Sequence, residues 1–422
     1  MKTYLDRLID PTIAEALLTS GCVVIEGPKW CGKSTTGKRF AKTVIELAKP
    51  NLYKKYKLYS DTGDPSLLKG EKPLMFDEWQ KIADIWDYIR ADVDETSGRG
   101  QYILTGSTKP KKDKGRHSGT GRMKKIVMRP MSLWESKEST GEVSLKSLFD
   151  GGDNFSANSP HTLSEIAFLL CRGGWPQAVL DENTDLALRA ASNYITSLVE
   201  EDINEIDEKK MNPKRARAIL RAYARNISTP ARLATIQGDM EANDAVLDPR
   251  TLDSYIKAFE KLYVVEDVEA WSPRLRSKTV VRTTNTRQLC DPSIAAAAMN
   301  ASPDDLMNDL NTFGLLFESL CIRDLRIYAQ NLGGSVFNYR DSSGLEADAV
   351  IHLNNGQWGA IEVKLGGDEN IEAGAKHLLE IKEKVDTDRM KQPSFLMVMT
   401  ATYFAHRRRD GVYVVPIGCL KN

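Results

Sequence analysis

The pattern of apolar and polar positions divides the chain into three stretches. In the first, short apolar runs ending in Gly or an acid alternate with segments of helical period. "CVVIEG" (22–27), "KLYSD" (57–61), "PLMFDE" (73–78), "QYILTGS" (101–107) and "KKIVMRP" (124–130) read as strands. "STTGKRFAKTVIELAKP" (34–50) reads as a helix that stops at Pro50, and "WQKIADIWDYIRADV" (79–93) as another. Such alternation predicts a parallel α/β sheet up to about Pro130. "GGDNFSANSPH" (151–161) reads as a linker or loop, and the chain from Thr162 to about Glu260 is mostly helical in period. "LYVVEDVEAWS" (262–272) then reads as a strand. A second α/β stretch opens with the helical "NDLNTFGLLFESLCIRDLRIYAQ". It continues with the strand-like "VFNYR", "EADAVIHL", "QWGAIEVKL", "SFLMVMTA" and "GVYVVPI".

The chain has 422 residues, enough for two to four domains, and 41% of them are hydrophobic. Lys+Arg and Asp+Glu both number 58, so any basic face has to be local. No apolar run is long enough to span a bilayer, and "MKTYLDRLIDPTIAEALL" lacks a signal-peptide core. The six cysteines are scattered, without CxxC pairs or metal-ligand spacing to His. A reduced cytoplasmic setting is the expectation.

Two motifs carry chemistry. "GPKWCGKS" satisfies G-x-x-x-x-G-K-[ST] between a predicted strand and a predicted helix. The nucleotide site is therefore expected at Gly27, Pro28, Lys29, Trp30, Cys31, Gly32, Lys33, Ser34 and Thr35. Backbone N–H groups and Lys33 would hold ATP phosphates, and Ser34 would ligate Mg²⁺. Alkylation of Cys31 should then report on nucleotide binding. "LMFDE" delivers Asp77 to the Mg²⁺ shell and Glu78 to the attacking water. The next strand ends in Thr105 and Ser107.

The second motif is "GLEADAVIHLNNGQWGAIEVKLG" (344–366). Two strands joined at Asn354–Gly356 bring Asp348 close to Glu362, and Lys364 shares the face of Glu362. Adjacent carboxylates repel unless a cation sits between them, and hard oxygen ligands suit Mg²⁺ or Mn²⁺. Glu318 on the preceding helix is the fourth member, with Glu346 as second choice of acid. This constellation resembles the PD-(D/E)XK nuclease-like superfamily, with Glu346-Ala347-Asp348 where its Pro would stand. The plain alternative is a Glu362–Lys364 ion pair on a solvated strand.

Between the two motifs, helices over "KRARAILRAYAR", "PARLATIQGDM" and "DPRTLDSYIKAFEKL" resemble a winged helix-turn-helix. Its base-contact candidates are Arg250, Ser254 and Lys257, with Arg274 and Arg276 in the wing. Arg172 in "CRGGWPQAV" reads as a structural turn or, alternatively, a lid residue.

"YLDRLID", "VVIEGPKWCGKST", "LMFDEWQ", "YILTGST", "GRMKKIVMRPMSLWES", "RGGWPQAV", "FEKLYVVEDVEAW", "FGLLFESL", "EADAVI", "IEVKLG" and "RRRDGVYVVPIGCL" together resemble prokaryotic AAA-type ATPases with a C-terminal DUF4143 region. The resemblance implies ATP binding, a winged-helix segment and a nuclease-like C-terminus. It also implies separated P-loop and "LMFDE" strands, a sensor role for Thr105 or Ser107, and an arginine finger acting in trans. Arg122 is the first choice for that finger and Arg116 the second. A homo-oligomer would follow from such a finger. The expected domains are a P-loop ATPase core (1–150), a helical connector (160–210), a winged helix (211–285) and a nuclease-like α/β domain (300–422). The expected function is ATP-coupled nucleic-acid binding, DNA favoured, with metal-dependent phosphodiester cleavage. The alternative is an ATP-gated DNA- or protein-binding regulator on a non-catalytic scaffold.

Overall fold

The structure is a computed structural model and describes residues 4–108, 119–152, 155–205, 210–242, 247–272, 284–385 and 390–422. Backbone contacts divide the chain into two compact units: Asp6–Pro130 with Lys261–Tyr263, and the remainder.

The first unit is built on strands β1 (Cys22–Glu26), β2 (Thr43–Glu46), β3 (Leu74–Asp77), β4 (Tyr102–Gly106) and β5 (Met123–Val127). They form one parallel sheet in the order β2-β3-β4-β1-β5. Alternate residues feed opposite faces, as the pleat requires. Cys22, Val24, Leu74, Phe76, Tyr102 and Leu104 pack with Trp79, Trp86 and Ile89 on one face, whereas Val23, Ile25, Met75 and Ile103 pack with Ile13 on the other. A sheet buried on both faces accounts for the continuous apolar runs.

The sequence expectation fails at one place here. The helix after the P-loop ends at Phe40, and Thr43-Val44-Ile45 form β2 beside β3. Three consecutive β-branched residues lose side-chain freedom in a helix and fit a pleat better. Pro50 accordingly opens a helix instead of ending one, and "KLYSD" lies within that helix, Pro50–Thr62. The P-loop strand β1 and the Asp77 strand β3 are nonetheless separated, by β4.

In the second unit β6 (Val143–Ser144) pairs with β14 (Leu420–Lys421). A separate mixed sheet has the order β7-β12-β13-β11-β10-β9-β8, from β7 (Ala157–Asn158), β8 (Gly334–Arg340), β9 (Glu346–Leu353), β10 (Trp358–Lys364), β11 (Phe395–Thr400), β12 (Phe404–Arg407) and β13 (Tyr413–Pro416). β10, β11 and β13 run parallel at its centre. β9 and β10 form the expected hairpin, with Gly356 at φ 82 in the turn, a conformation that favours glycine. The helix Asp368–Lys384 presents Ala375, Leu378 and Ile381 to the core around Trp358.

The middle is helical, including Leu163–Arg172, Thr184–Glu200, Pro213–Arg225, Leu233–Glu241, Pro249–Lys261 and Pro292–Met299. The strand expected over 262–272 is reduced to isolated bridges, Val265 with Leu289, Val268 with Thr286 and Ala270 with Asn338. Residues 131–150, expected with the ATPase core, belong to the second unit: the Leu133 amide donates to Asp324 at 2.9 Å, and β6 pairs with β14.

One buried ionic group ties this unit together. Arg323 donates to Asp291, the N-cap of the helix Pro292–Met299, at 3.0 Å, and to Asp324 at 2.8 Å. All three side chains are enclosed, so removing the cation strands two carboxylates. Arg323→Ala is expected to destabilise the second unit by about 3–5 kcal/mol in denaturant unfolding. A change below about 1 kcal/mol would show that water replaces the guanidinium.

Candidate active sites

The first site grows from the carboxyl ends of β1, β3 and β4, where open α/β sheets bind ligands. Gly27 leaves β1 at φ 150, and a Cβ there would stand 2.1 Å from the Met128 carbonyl oxygen. Gly32, at φ 103, caps the helix Lys33–Phe40 and turns its free N–H groups toward the loop. Lys33 is nearly enclosed and donates to the Pro28 carbonyl at 2.7 Å, so the ammonium is held inside the loop's curve. Ser34 Oγ and Thr105 Oγ1 both donate to Asp77 Oδ1 at 2.6 Å. Glu78, in the left-handed region at φ 59, accepts from Gln80 at 2.5 Å and from Ser107 at 3.3 Å. Pro28, Cys31 and Lys33 are buried, Trp30 is 48% exposed, and Thr35 faces solvent. A loop that glycines keep open over a helix N-terminus, with an enclosed lysine, suits a polyphosphate. The Ser34–Asp77 pair offers the oxygen donors that Mg²⁺ takes.

Cys31 is fully buried, its thiol donating to the Met128 carbonyl at 3.3 Å, so alkylation has to wait for the loop to open. Arg122 precedes β5, whose first residue is in register with Cys22, so it stands at the sheet edge opposite its own P-loop. There it pairs with Asp94. Arg116 lies outside the described residues. Arg172 is buried and bound to Glu138 at 2.6 Å, the structural alternative for that residue.

The second site is a cleft of about 1280 Å³ within the C-terminal unit, lined by Glu318, Glu346, Asp348 and Lys364 among others. β9 and β10 run antiparallel with Ala349 opposite Ile361, which sets Asp348 across from Glu362. The Val363 amide donates to Asp348 Oδ2 at 2.7 Å, and Lys364 Nζ to Glu362 Oε2 at 2.9 Å. Glu362 is 1% exposed, and its other oxygen has no hydrogen-bond partner. Burial, then the charge of Asp348, pushes the Glu362 carboxyl up to about 9. Burial and then Asp348 likewise hold Glu318 well above the usual carboxylate range. Burial lowers the Lys364 ammonium, but Asp348 and Glu362 outweigh it and leave it raised. Both shifts have the same cause, buried acids crowded together, and a divalent cation would relieve that excess. The donor types and the orphaned Glu362 oxygen fit a hard cation. Among the described residues, however, no three His, Cys, Asp or Glu side chains are gathered as a metal cluster. Asp348 and Glu362 are instead turned toward the Val363 amide and Lys364.

In the middle of the chain Arg250, Ser254 and Lys257 are all exposed on the helix Pro249–Lys261. Lys257 is bound to Asp253 at 2.6 Å and Ser254 to the Thr251 carbonyl at 2.8 Å. Arg274 and Arg276 lie outside the described residues.

Sequence reasoning missed three participants. Arg7 is buried and donates to the Cys31 carbonyl at 2.9 Å and the Arg129 carbonyl at 2.7 Å, bracing the P-loop from behind. Gln80 holds Glu78, and His377 Nδ1 stands 3.7 Å from Glu362. "YLDRLID" and "DEWQ" contain the first two, but nothing local marks them as partners of a loop.

Three family models match the chain: an AAA domain over residues 19–137, a domain of unknown function (DUF8612) over 163–305, and a second such domain (DUF4143) over 313–420. The chain therefore carries an AAA domain and a C-terminal DUF4143 region, as its motifs led us to expect. Among solved structures it is similar to the Walker-type ATPase paby2304 of Pyrococcus abyssi, at 15% identity and TM-score 0.42, over 70% of this chain and 96% of that one. It is also similar to PCH-2 of C. elegans, at 11% identity and TM-score 0.19, over 60% and 67%. No curated protein matches it. Among the described residues no helix is long and apolar enough to cross a membrane.

Gly27→Ala is expected to lower ATP affinity at least about tenfold, because its Cβ would meet the Met128 carbonyl and block the loop's path. Isothermal titration with ATP checks this; wild-type affinity would mean that the loop relaxes at no cost.

Proposed function

We propose that the protein hydrolyses ATP at the Gly27–Thr35 loop and uses the cycle to govern phosphodiester cleavage of nucleic acid, DNA favoured, by the DUF4143 region. The observation that carries the second half is the gathering of Glu318, Asp348 and Lys364 on one cleft, with buried Glu362 across from Asp348 and one of its oxygens without a hydrogen bond. In the ATPase half, Lys33 would neutralise phosphate charge, Ser34 and Asp77 would hold Mg²⁺, and Glu78 would orient the attacking water. Thr105 and Ser107 fix the two acids through their hydroxyls. In the nuclease half, Asp348, Glu362 and Glu318 would hold Mg²⁺ or Mn²⁺, which supplies charge neutralisation and an acidified water. Lys364 would position that water once Glu362 turns away from it. Arg122 is the candidate finger toward a second copy of the chain, and the middle helices, read as a winged helix, would hold the nucleic acid.

The Glu362–Lys364 pair, with no metal cluster gathered among the described residues, favours a second reading. In it the C-terminal fold is a scaffold, and the protein is an ATP-gated binder of DNA or of a protein. Cleavage of linear duplex, single-stranded and branched DNA, and of RNA, with Mg²⁺ or Mn²⁺ and with or without ATP, separates the two. The nuclease reading expects cleavage that Lys364→Ala lowers by about 100-fold or more. No cleavage under any of these conditions would leave the scaffold reading standing.

A further inference from the structure

The helix Pro213–Arg225 has the sequence PKRARAILRAYAR, five cations and no acid, in a chain whose charges balance overall at 58 of each sign. Its buried face, including Ala216, Ile219, Leu220 and Tyr223, fixes the helix against the unit. Lys214, Arg217, Arg221 and Arg225 follow at spacings of three and four and lie on the opposite, exposed side. All four line one groove of about 440 Å³. From Lys214 to Arg225 the row runs about 16 Å along the helix axis.

Two of the four cations have acidic neighbours, and both acids also line the groove. Arg217 lies 3.8 Å from Glu200, both about half exposed, and such surface pairs contribute little. Arg225 pairs with Asp239 at 3.3 Å. Among the described residues no side-chain hydrogen bond or ion pair engages Lys214 or Arg221. Apolar Ile195, Leu220, Met240 and Ala297 also line the groove, below the cations. A linear row of cations spaced along one helix matches a repeating anion.

We propose that this face of the helix Pro213–Arg225 is a binding surface for the phosphodiester backbone of a nucleic acid. Lys214, Arg217, Arg221 and Arg225 would each neutralise a phosphate. The contacts are to the backbone, so they position the nucleic acid without reading its sequence. The surface is distinct from the helix Pro249–Lys261, where the sequence pattern had placed the base contacts and where Lys257 is held by Asp253. The assignment concerns binding alone and does not depend on cleavage at Lys364.

The test is fluorescence anisotropy of labelled duplex DNA and duplex RNA with the full chain, in EDTA so that no cleavage consumes the probe, across a salt series. Wild type should bind one or both with a slope of log affinity against log salt of about −3 to −4, as four phosphate contacts require. The double variant Lys214→Glu, Arg221→Glu should bind at least about tenfold more weakly, with the slope reduced by about two. The single variants Lys214→Gln and Arg221→Gln should each reduce it by about one. The charge-keeping pair Lys214→Arg, Arg221→Lys should retain both affinity and slope. An unchanged slope in the charge-removing variants would overturn the assignment, as would a weaker affinity without a change of slope. Competition by polyglutamate as strong as by unlabelled duplex at equal charge would also overturn it, in favour of an acidic protein partner.

Discussion

Asp77 receives two hydroxyl hydrogen bonds on a single oxygen, from Ser34 at the start of the P-loop helix and from Thr105 on the neighbouring strand. A carboxylate 8% exposed at the end of an apolar strand has to be supplied with donors, and here those donors come from the loop and from β4. The pair of bonds therefore fixes the loop, β3 and β4 against one another. Other features of the first unit are compatible with that junction. β4 must lie between β1 and β3, Gly106 must leave room for Trp79 and Gln80, and Arg7 must hold the loop's far side through the Cys31 carbonyl.

The C-terminal cleft solves the same problem in the other direction. Asp348 is given a backbone amide, but Glu362 receives a hydrogen bond only from Lys364 on one oxygen, and its other oxygen has no closer neighbour of opposite sign than His377 Nδ1 at 3.7 Å. A buried carboxylate so poorly supplied rises toward its protonated form, and Glu318 rises with it. A protein selected only for stability would exchange such a group for an apolar one at little cost. Its retention inside "GAIEVKLG" needs a reason other than packing, which is why the cleft is read as a site. The same geometry sets the counterweight, since Lys364 occupies the carboxylate that a cation would need.

The P-loop and the β9–β10 hairpin were legible because each is local: their residues lie within one turn or one hairpin, and period and spacing suffice to place them. β2 was not legible, because Thr43-Val44-Ile45 follow a helical run without an intervening breaker, and only pairing with β3 decides for the strand. The strand over 262–272 was overread for the opposite reason. Its apolar composition fits a strand, but Asp267 is engaged by Tyr223 and Arg287 and the pairing stays at single bridges. Arg7, Gln80 and His377 were invisible because each acts on a site through tertiary proximity, with no spacing rule to reveal it.

The basic row on the helix Pro213–Arg225 shows how a neutral total misleads. Its cations are spaced at three and four residues, interleaved with buried Ala, Ile, Leu and Tyr, so composition averages them away and only the helix brings them onto one side. The helix Pro249–Lys261 carries its own acids, and Asp253 takes up the lysine that a groove contact would use. Of the two helices, charge alone therefore favours the first as the one facing a polyanion. A recognition helix needs a complementary surface before it needs specific side chains, since the backbone term sets whether a nucleic acid is held at all.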